Sequence, residues 1–215
     1  MTVLAATLTA TFLMVDGVYN SELMAPYDIF HHTIFHAPAG RHIEVFTVSP
    51  EGATVTTFEG LRITPRHSFH TAPPVDILIV PSAEGSMDKD LKNEAMMAWV
   101  RRTGKEARYI VSLCDGAFVL AAAGLLEGRA VTTFPGDQDR FAQMFPRLDL
   151  RREPSFVHDG PALTSHGGAK SYDVAMYLVS VIYGNEVAAR VGKGLLIPWP
   201  PAPGSPAAGL VLPPK

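Results

Sequence analysis

The chain is 215 residues long, 47% hydrophobic and 18% charged, which fits one ordinary globular domain with enough chain to bury a core. A net charge of −3, an isoelectric point near 6.2 and the lack of any Lys or Arg block argue against a nucleic-acid surface. One cysteine excludes an internal disulfide and leaves the redox compartment open.

The opening residues, MTVLAATLTATFLMVDG, are apolar but lack the basic start of an export signal, and they are too short for a membrane span. Thr7, Thr9 and Thr11 alternate with Leu8, Ala10 and Phe12, which predicts a first strand over residues 8–16. A cytoplasmic protein without membrane contact is expected. A helix follows near Pro26 to His32, with proline in its first turn. RHIEVFTVS is a strand. VDILIVP is a near-continuous apolar run, as in a central parallel strand covered on both faces. MDKDLKNEAMMAWVRRTGK is a helix, acidic at its start, basic at its end and closed by Gly104. ARYIVSL is the next central strand, and a small-residue helix runs from the following turn to Gly124.

The second half continues with a short strand, AVTTF, a turn, PGD, and a helix, QDRFAQMF. FVHDGPALTS reads as a hairpin around Asp159-Gly160, where Asp-Gly is turn chemistry only. Ser171 is placed to cap the apolar helix YDVAMYLVSVIYG, and Asn185 to cap EVAARVG. The alternation predicts a single α/β domain over residues 1–197, a mainly parallel sheet with helices on both faces. Residues 198–215 are rich in Pro and Ala and read as a loose tail or an extended arm. An arm on a neighbouring subunit would cover Leu210, Val211 and Leu212.

In such sheets ligands bind at the carboxyl ends of the strands. Cys114, the loop after Pro81 and the turn after Asp16 all fall on that edge. Cys114 sits at a strand-to-helix join, with Ser112 and Gly116 leaving little bulk around it. That setting raises a side chain at the sheet edge and aims helix-start amides at anything on the sulfur. It predicts a nucleophilic thiol with a pKa below the ordinary value of about 8.5, against the competing reading of an inert core cysteine.

Several segments together resemble the ThiJ/PfpI superfamily, whose fold is flavodoxin-like and similar to class I glutamine amidotransferases. They are SLCDGAFVLAAAGLLEGRAVTTFPG with its nucleophile elbow, DGVYNSELMAPYDIF with an acid before a small-Pro pair, and LTSHGGAKSYDVAMYLVSVIYG. The similarity is greatest to the branch of isonitrile hydratase-like proteins and the amino-terminal domains of AraC-type regulators. The resemblance implies that Cys114 is the nucleophile and that Glu22 shares a proton with it. It also implies an oxyanion pocket of main-chain amides, here at Ser82, Ala83 and Gly85, with Asp115 and Gly116 on the elbow side, and it implies a homodimer. Protease-like members carry His after the cysteine, where this chain has Asp115, and often another near the end of the next strand, where it has Phe134. Peptidase activity is therefore not expected.

Beside the thiol, a neutral Glu22 would donate to a thiolate, and an ionised one would take a proton from the thiol or from water. Alternatively, Glu22 is a helix-start carboxylate on open amides. His166 either orients Asp115 and acts near Cys114, or bonds a carbonyl in a Gly-rich turn. Asp115 either binds a polar substrate group or caps the helix. His31, His32 and His36 form HHxxxH, but without a third ligand no metal is expected; nor is a cofactor. Three functions fit. One is cysteine-dependent hydration or hydrolysis of a small electrophile such as an isonitrile, an amide or an α-oxoaldehyde. The others are non-catalytic ligand binding in the same pocket and a redox-responsive thiol.

Overall fold

The two apolar runs at the centre of the chain become neighbouring strands because both of their faces find cover. The computed structural model describes residues 7–202 and 204–213. In chain order the strands are β1 (Leu8–Leu13), β2 (Ile43–Ser49), β3 (Val55–Thr56), β4 (Arg62–Ile63), β5 (His67–Ser68), β6 (Ile77–Val80), β7 (Tyr109–Leu113), β8 (Ala130–Val131), β9 (Asp149–Leu150), β10 (Phe156–Asp159), β11 (Ala162–Ser165) and β12 (Leu210–Val211). The α-helices are α1 (Asn20–His36), α2 (Glu94–Glu106), α3 (Gly116–Ala122), α4 (Gln138–Met144), α5 (Ser171–Tyr183) and α6 (Asn185–Leu195).

The main sheet runs β12-β10-β11-β7-β6-β1-β2-β5. All its pairings are parallel except the β10–β11 hairpin. Alternation along β6 sends Ile77 and Ile79 to one face and Leu78 and Val80 to the other. The first face packs on α1, α5 and α6 through Phe12, Phe30, Val111, Leu163 and Met176. The second packs on α2, α3 and α4 through Met96, Trp99, Ile110, Phe118 and Phe141. The expected α/β architecture is present.

Several boundaries differ from the sequence reading. The first strand ends at Leu13 rather than residue 16, and residues 1–6 of the opening segment lie outside the described residues. α1 begins at Asn20, so Pro26 stands inside it. Pro26 has no N–H to return to the Glu22 carbonyl four residues earlier, a bond the helix forgoes beside the site. α2 begins at Glu94 after a 3-10 turn, because the Asn93 side chain accepts the Met96 N–H at 3.1 Å and caps it there. Gly104 lies within α2 and does not close it; a Cβ there would collide with Leu125.

Neither expected cap on the last two helices forms. The Ser171 hydroxyl is buried without a partner among the described residues, and the Asn185 side chain accepts from Trp199 Nε1 at 3.2 Å. In the carboxyl-terminal arm, Leu210 and Val211 pair with β10 of the same chain, which gives them part of the cover sought on a neighbouring subunit. Among the described residues no helix is long and apolar enough to cross a membrane.

Candidate active site

β7 ends at Leu113 and α3 begins at Gly116, so Cys114 and Asp115 form the whole turn. Cys114 takes φ 52°, a left-handed conformation that is strained for a residue with a Cβ. Bonds from two sides hold it there. Its amide donates to Ser165 O at 3.0 Å, and its carbonyl accepts from Thr133 Oγ1 at 3.0 Å. Two glycines make room. A Cβ on Gly116 would collide with the Val80 carbonyl. One on Gly167, at φ 76°, would collide with Cys114 Cβ and come within 2.7 Å of Glu22 Oε1. The turn can close this tightly because neither position carries a side chain.

Glu22 enters from the first turn of α1 and is 4% exposed. Its Oε2 accepts the Ser82 N–H at 2.8 Å and its Oε1 the Gly168 N–H at 3.3 Å. The Cys114 thiol lies close by and favours the ionised carboxyl. Burial pushes the carboxyl above its ordinary range, against the opposing pull of the Ser82 and Gly168 amides and of Cys114. Glu22 and Cys114 thus stand on either side of Gly167. The alternative, a carboxylate on the open amides of its own helix, does not hold.

Asp115 occupies the N-cap position of α3, yet its side chain makes no capping bond. The thiol points one hydrogen bond at its Oδ2, with sulfur and oxygen 3.7 Å apart, and Thr133 Oγ1 reaches its Oδ1 at 3.5 Å. Burial, then the charge of Asp137, pushes Asp115 up to about 6. For the thiol the outcome is opposite to the sequence expectation. Burial first, and then the charges of Glu22 and Asp115, push Cys114 above its ordinary value, and the Asp115 N–H and Ser82 hydroxyl offset this only in part. Helix-start amides cannot outweigh two buried carboxylates.

Two amides of the expected pocket are already engaged. The Ser82 N–H is taken by Glu22, and the Ala83 N–H donates to Ser86 Oγ at 2.8 Å. Gly85 serves a turn, its carbonyl accepting the Asp88 and Asp90 amides, each at 3.0 Å. Gly116 contributes its lack of a side chain. His166 is not brought to the thiol. Its amide donates to Ser155 O at 2.9 Å, its Nε2 is buried with no hydrogen-bond partner among the described residues, and burial lowers its pKa.

Some site residues were not foreseen. Thr133, at the end of AVTTF, binds both turn residues. Gly168, two residues after His166, supplies a donor to Glu22. Tyr19, just before α1, feels the charges of Cys114, Asp115 and Glu22, and its ring lies 4.6 Å from that of Phe58. The double glycine after β11 was the one visible signal for Gly168. His32 and His36 lie on α1 beside Phe35. Among the described residues no three His, Cys, Asp or Glu side chains are grouped to hold a metal ion.

Comparison with known proteins gives a consistent family signal. The model of the DJ-1/PfpI family matches residues 9–180. Isonitrile hydratase of Pseudomonas putida is 30% identical over 193 residues, 89% of this chain and 78% of that protein. The HTH-type transcriptional regulator CdhR of Pseudomonas aeruginosa is 28% identical over 164 residues, 76% of this chain but only 47% of the regulator. Among solved structures, a ThiJ/PfpI family protein from Pseudomonas syringae superposes with a TM-score of 0.79 at 23% identity, over 93% of this chain and 78% of that one. Drosophila melanogaster DJ-1beta gives 0.77 at 20% identity, over 90% and 100%. At these identities the structural likeness speaks for the fold alone.

Proposed function

Because the chain belongs to the DJ-1/PfpI family, we propose that Cys114 is a nucleophile toward a small uncharged electrophile and that the reaction is hydration of an isonitrile to an N-substituted formamide. The observation that carries this reading is the buried thiol standing beside Glu22 across Gly167, with the Glu22 oxygens accepting two main-chain N–H groups. Two main-chain donors on one carboxyl suit a carboxylate acting as base. The thiol rests protonated, so its proton moves to Glu22 as sulfur attacks, and no standing thiolate is needed.

In the first step the Cys114 sulfur bonds the terminal isonitrile carbon. The thiol proton passes through Glu22 to that carbon, giving a thioimidate, R–N=CH–S. Water then adds to the carbon, and one of its protons goes to nitrogen. The carbon–sulfur bond breaks, the remaining hydroxyl proton returns to sulfur, and R–NH–CHO leaves. Asp115, ionised above about pH 6, is placed to handle the water proton. Net, one water is added and nothing is oxidised or reduced.

Two features favour hydration over amide hydrolysis and over a redox role. Hydrolysis needs open N–H donors for a tetrahedral oxyanion, and the Ser82 and Ala83 amides are engaged. A redox-responsive cysteine is favoured by easy ionisation, and here burial and two carboxylates oppose it. Glu22, Asp115 and Asp137 also make the site unwelcoming to anions. The regulator relatives support non-catalytic binding as the second reading, and the same assay separates the two.

The test is formamide production from neutral, cationic and carboxylate-bearing isonitriles, with amides and α-oxoaldehydes alongside. Wild type should hydrate the neutral compounds best. Cys114→Ser should abolish the activity, and Glu22→Gln should lower it roughly 10²–10⁴-fold. Hydration that survives Cys114→Ser would refute the proposal. Tight binding without turnover would favour the binding protein.

A further inference from the structure

Ser82 has a second group besides its amide, and that group is left over. Ser82 follows the end of β6 and Cys114 the end of the neighbouring β7, and the Ser82 amide bonds the same carboxyl that stands beside Cys114 across Gly167. Gly116 lets α3 settle directly on the Val80 carbonyl, which brings this segment and the elbow together. The Ser82 main chain is fully used, its N–H on Glu22 Oε2 and its carbonyl accepting the Tyr19 N–H at 3.1 Å. The side chain is wholly buried, and its hydroxyl has no aligned hydrogen-bond partner among the described residues. Its polar neighbour is the Cys114 sulfur, toward which it favours negative charge.

A buried hydroxyl without a bond is destabilising by roughly 1–3 kcal/mol. A neutral thiol is a weak acceptor and gives it little; a thiolate, being ionised, is a far stronger one. The site therefore holds a donor that is poorly satisfied at rest and becomes satisfied when the sulfur is charged. Stabilisation present only in the charged state is what accelerates a step through that state.

We propose that the Ser82 hydroxyl is a catalytic donor to Cys114, bonding the sulfur as its proton moves to Glu22 and again as the carbon–sulfur bond breaks. This takes the place of the amide pocket at the same residue, since the amide is held by Glu22. It rests on Cys114 being a nucleophile, the first element of the proposed function, and not on the isonitrile as substrate. The ionisable groups facing the sulfur are Glu22 from α1, Asp115 from the turn and Tyr19 from the loop before α1; Ser82→Ala leaves all three in place.

The experiment is the rate of Cys114 alkylation by iodoacetamide against pH, read by intact mass, in wild type, Ser82→Ala and Ser82→Thr, with Tm measured alongside. Ser82→Ala should slow alkylation at pH 7 by about tenfold and move the profile to higher pH, with Tm unchanged or raised. Ser82→Thr, which keeps the hydroxyl, should restore the profile. If Ser82→Ala does not fold, Ser82→Gly is the substitute and carries the same expectation. An unchanged profile, or a faster one, overturns the proposal, and a fall in Tm with no change in profile assigns Ser82 a packing role. A wild-type thiol that resists alkylation throughout removes the nucleophile itself. Alkylation needs no turnover, so a failure of the isonitrile assay leaves this result readable.

Discussion

Two carboxylates and one thiol share the buried turn, and their mutual effects set what the site can do. Asp115 is held at about 6, above its ordinary 3.8. Its contribution to stability is therefore fully present below about pH 4 and is lost as pH rises through 6. Asp115→Asn should flatten that slope. Denaturant unfolding at pH 4 and pH 7 should show the wild type losing on the order of 1–2 kcal/mol that the variant keeps, after allowance for solvent screening. The same substitution takes a negative charge from the sulfur and should speed alkylation at neutral pH. Gly167→Ala should do broader harm, because it adds a Cβ at positive φ into both Cys114 and Glu22. A stability loss of about 1–3 kcal/mol and at least a tenfold loss of thiol reactivity are expected by calorimetry and alkylation. The position of Cys114 at a strand-to-helix turn was legible from its small neighbours, whereas Glu22 was singled out by the family resemblance, the residues alone reading equally as a helix-start carboxylate. The direction of the thiol pKa was not, because it depends on burial by β11 and α1, which are distant in sequence. Thr133 was hidden for the same reason: a threonine ending a short strand gives no sign of which turn its hydroxyl meets.

Long periodic segments announced themselves, and short ones did not. β1, β2, β6, β7, α2 and α5 carry an apolar run or a stripe that a single packing face explains. β3, β4, β5 and β9 have two residues each, too few for any period to show. Helix starts were misplaced where capping decided them. α2 begins where Asn93 bonds the Met96 N–H, and the acidic residues before it stay in a turn. Asn93→Ala should destabilise the fold by about 1 kcal/mol, seen as a Tm lower by about 2–4 °C, with the alkylation profile of Cys114 unchanged. At the elbow itself, Gly116→Ala would force α3 off the Val80 carbonyl. It should lower Tm and thiol reactivity together, whereas Asn93→Ala lowers Tm alone.

At the scale of the whole molecule, the doubly covered sheet places Cys114, Glu22 and the Ser82 segment on one edge, as the alternating pattern of elements led one to expect. The arm was the hardest part to anticipate, since a Pro-rich composition carries no strand period. Its ordered piece, β12, depends on Gly209 lying against Phe156, where a Cβ would collide with the ring. Removing residues 204–215 should uncover the β10 edge, lower Tm and promote aggregation. A homodimer, implied by the resemblance, would cover Phe35 on α1 and Leu196 beyond α6, which are 70% and 91% exposed. Light scattering should then find two copies together, and Phe35→Glu should shift the protein to monomer. The central claim is that Cys114 bonds the substrate carbon, and it is tested most directly by mass. Protein mixed with a neutral isonitrile and quenched in acid should gain the full mass of the substrate, on the peptide bearing Cys114, and lose the gain in Cys114→Ser. Formamide release at the same rate from wild type and Cys114→Ser, with no added mass at any time, would contradict it.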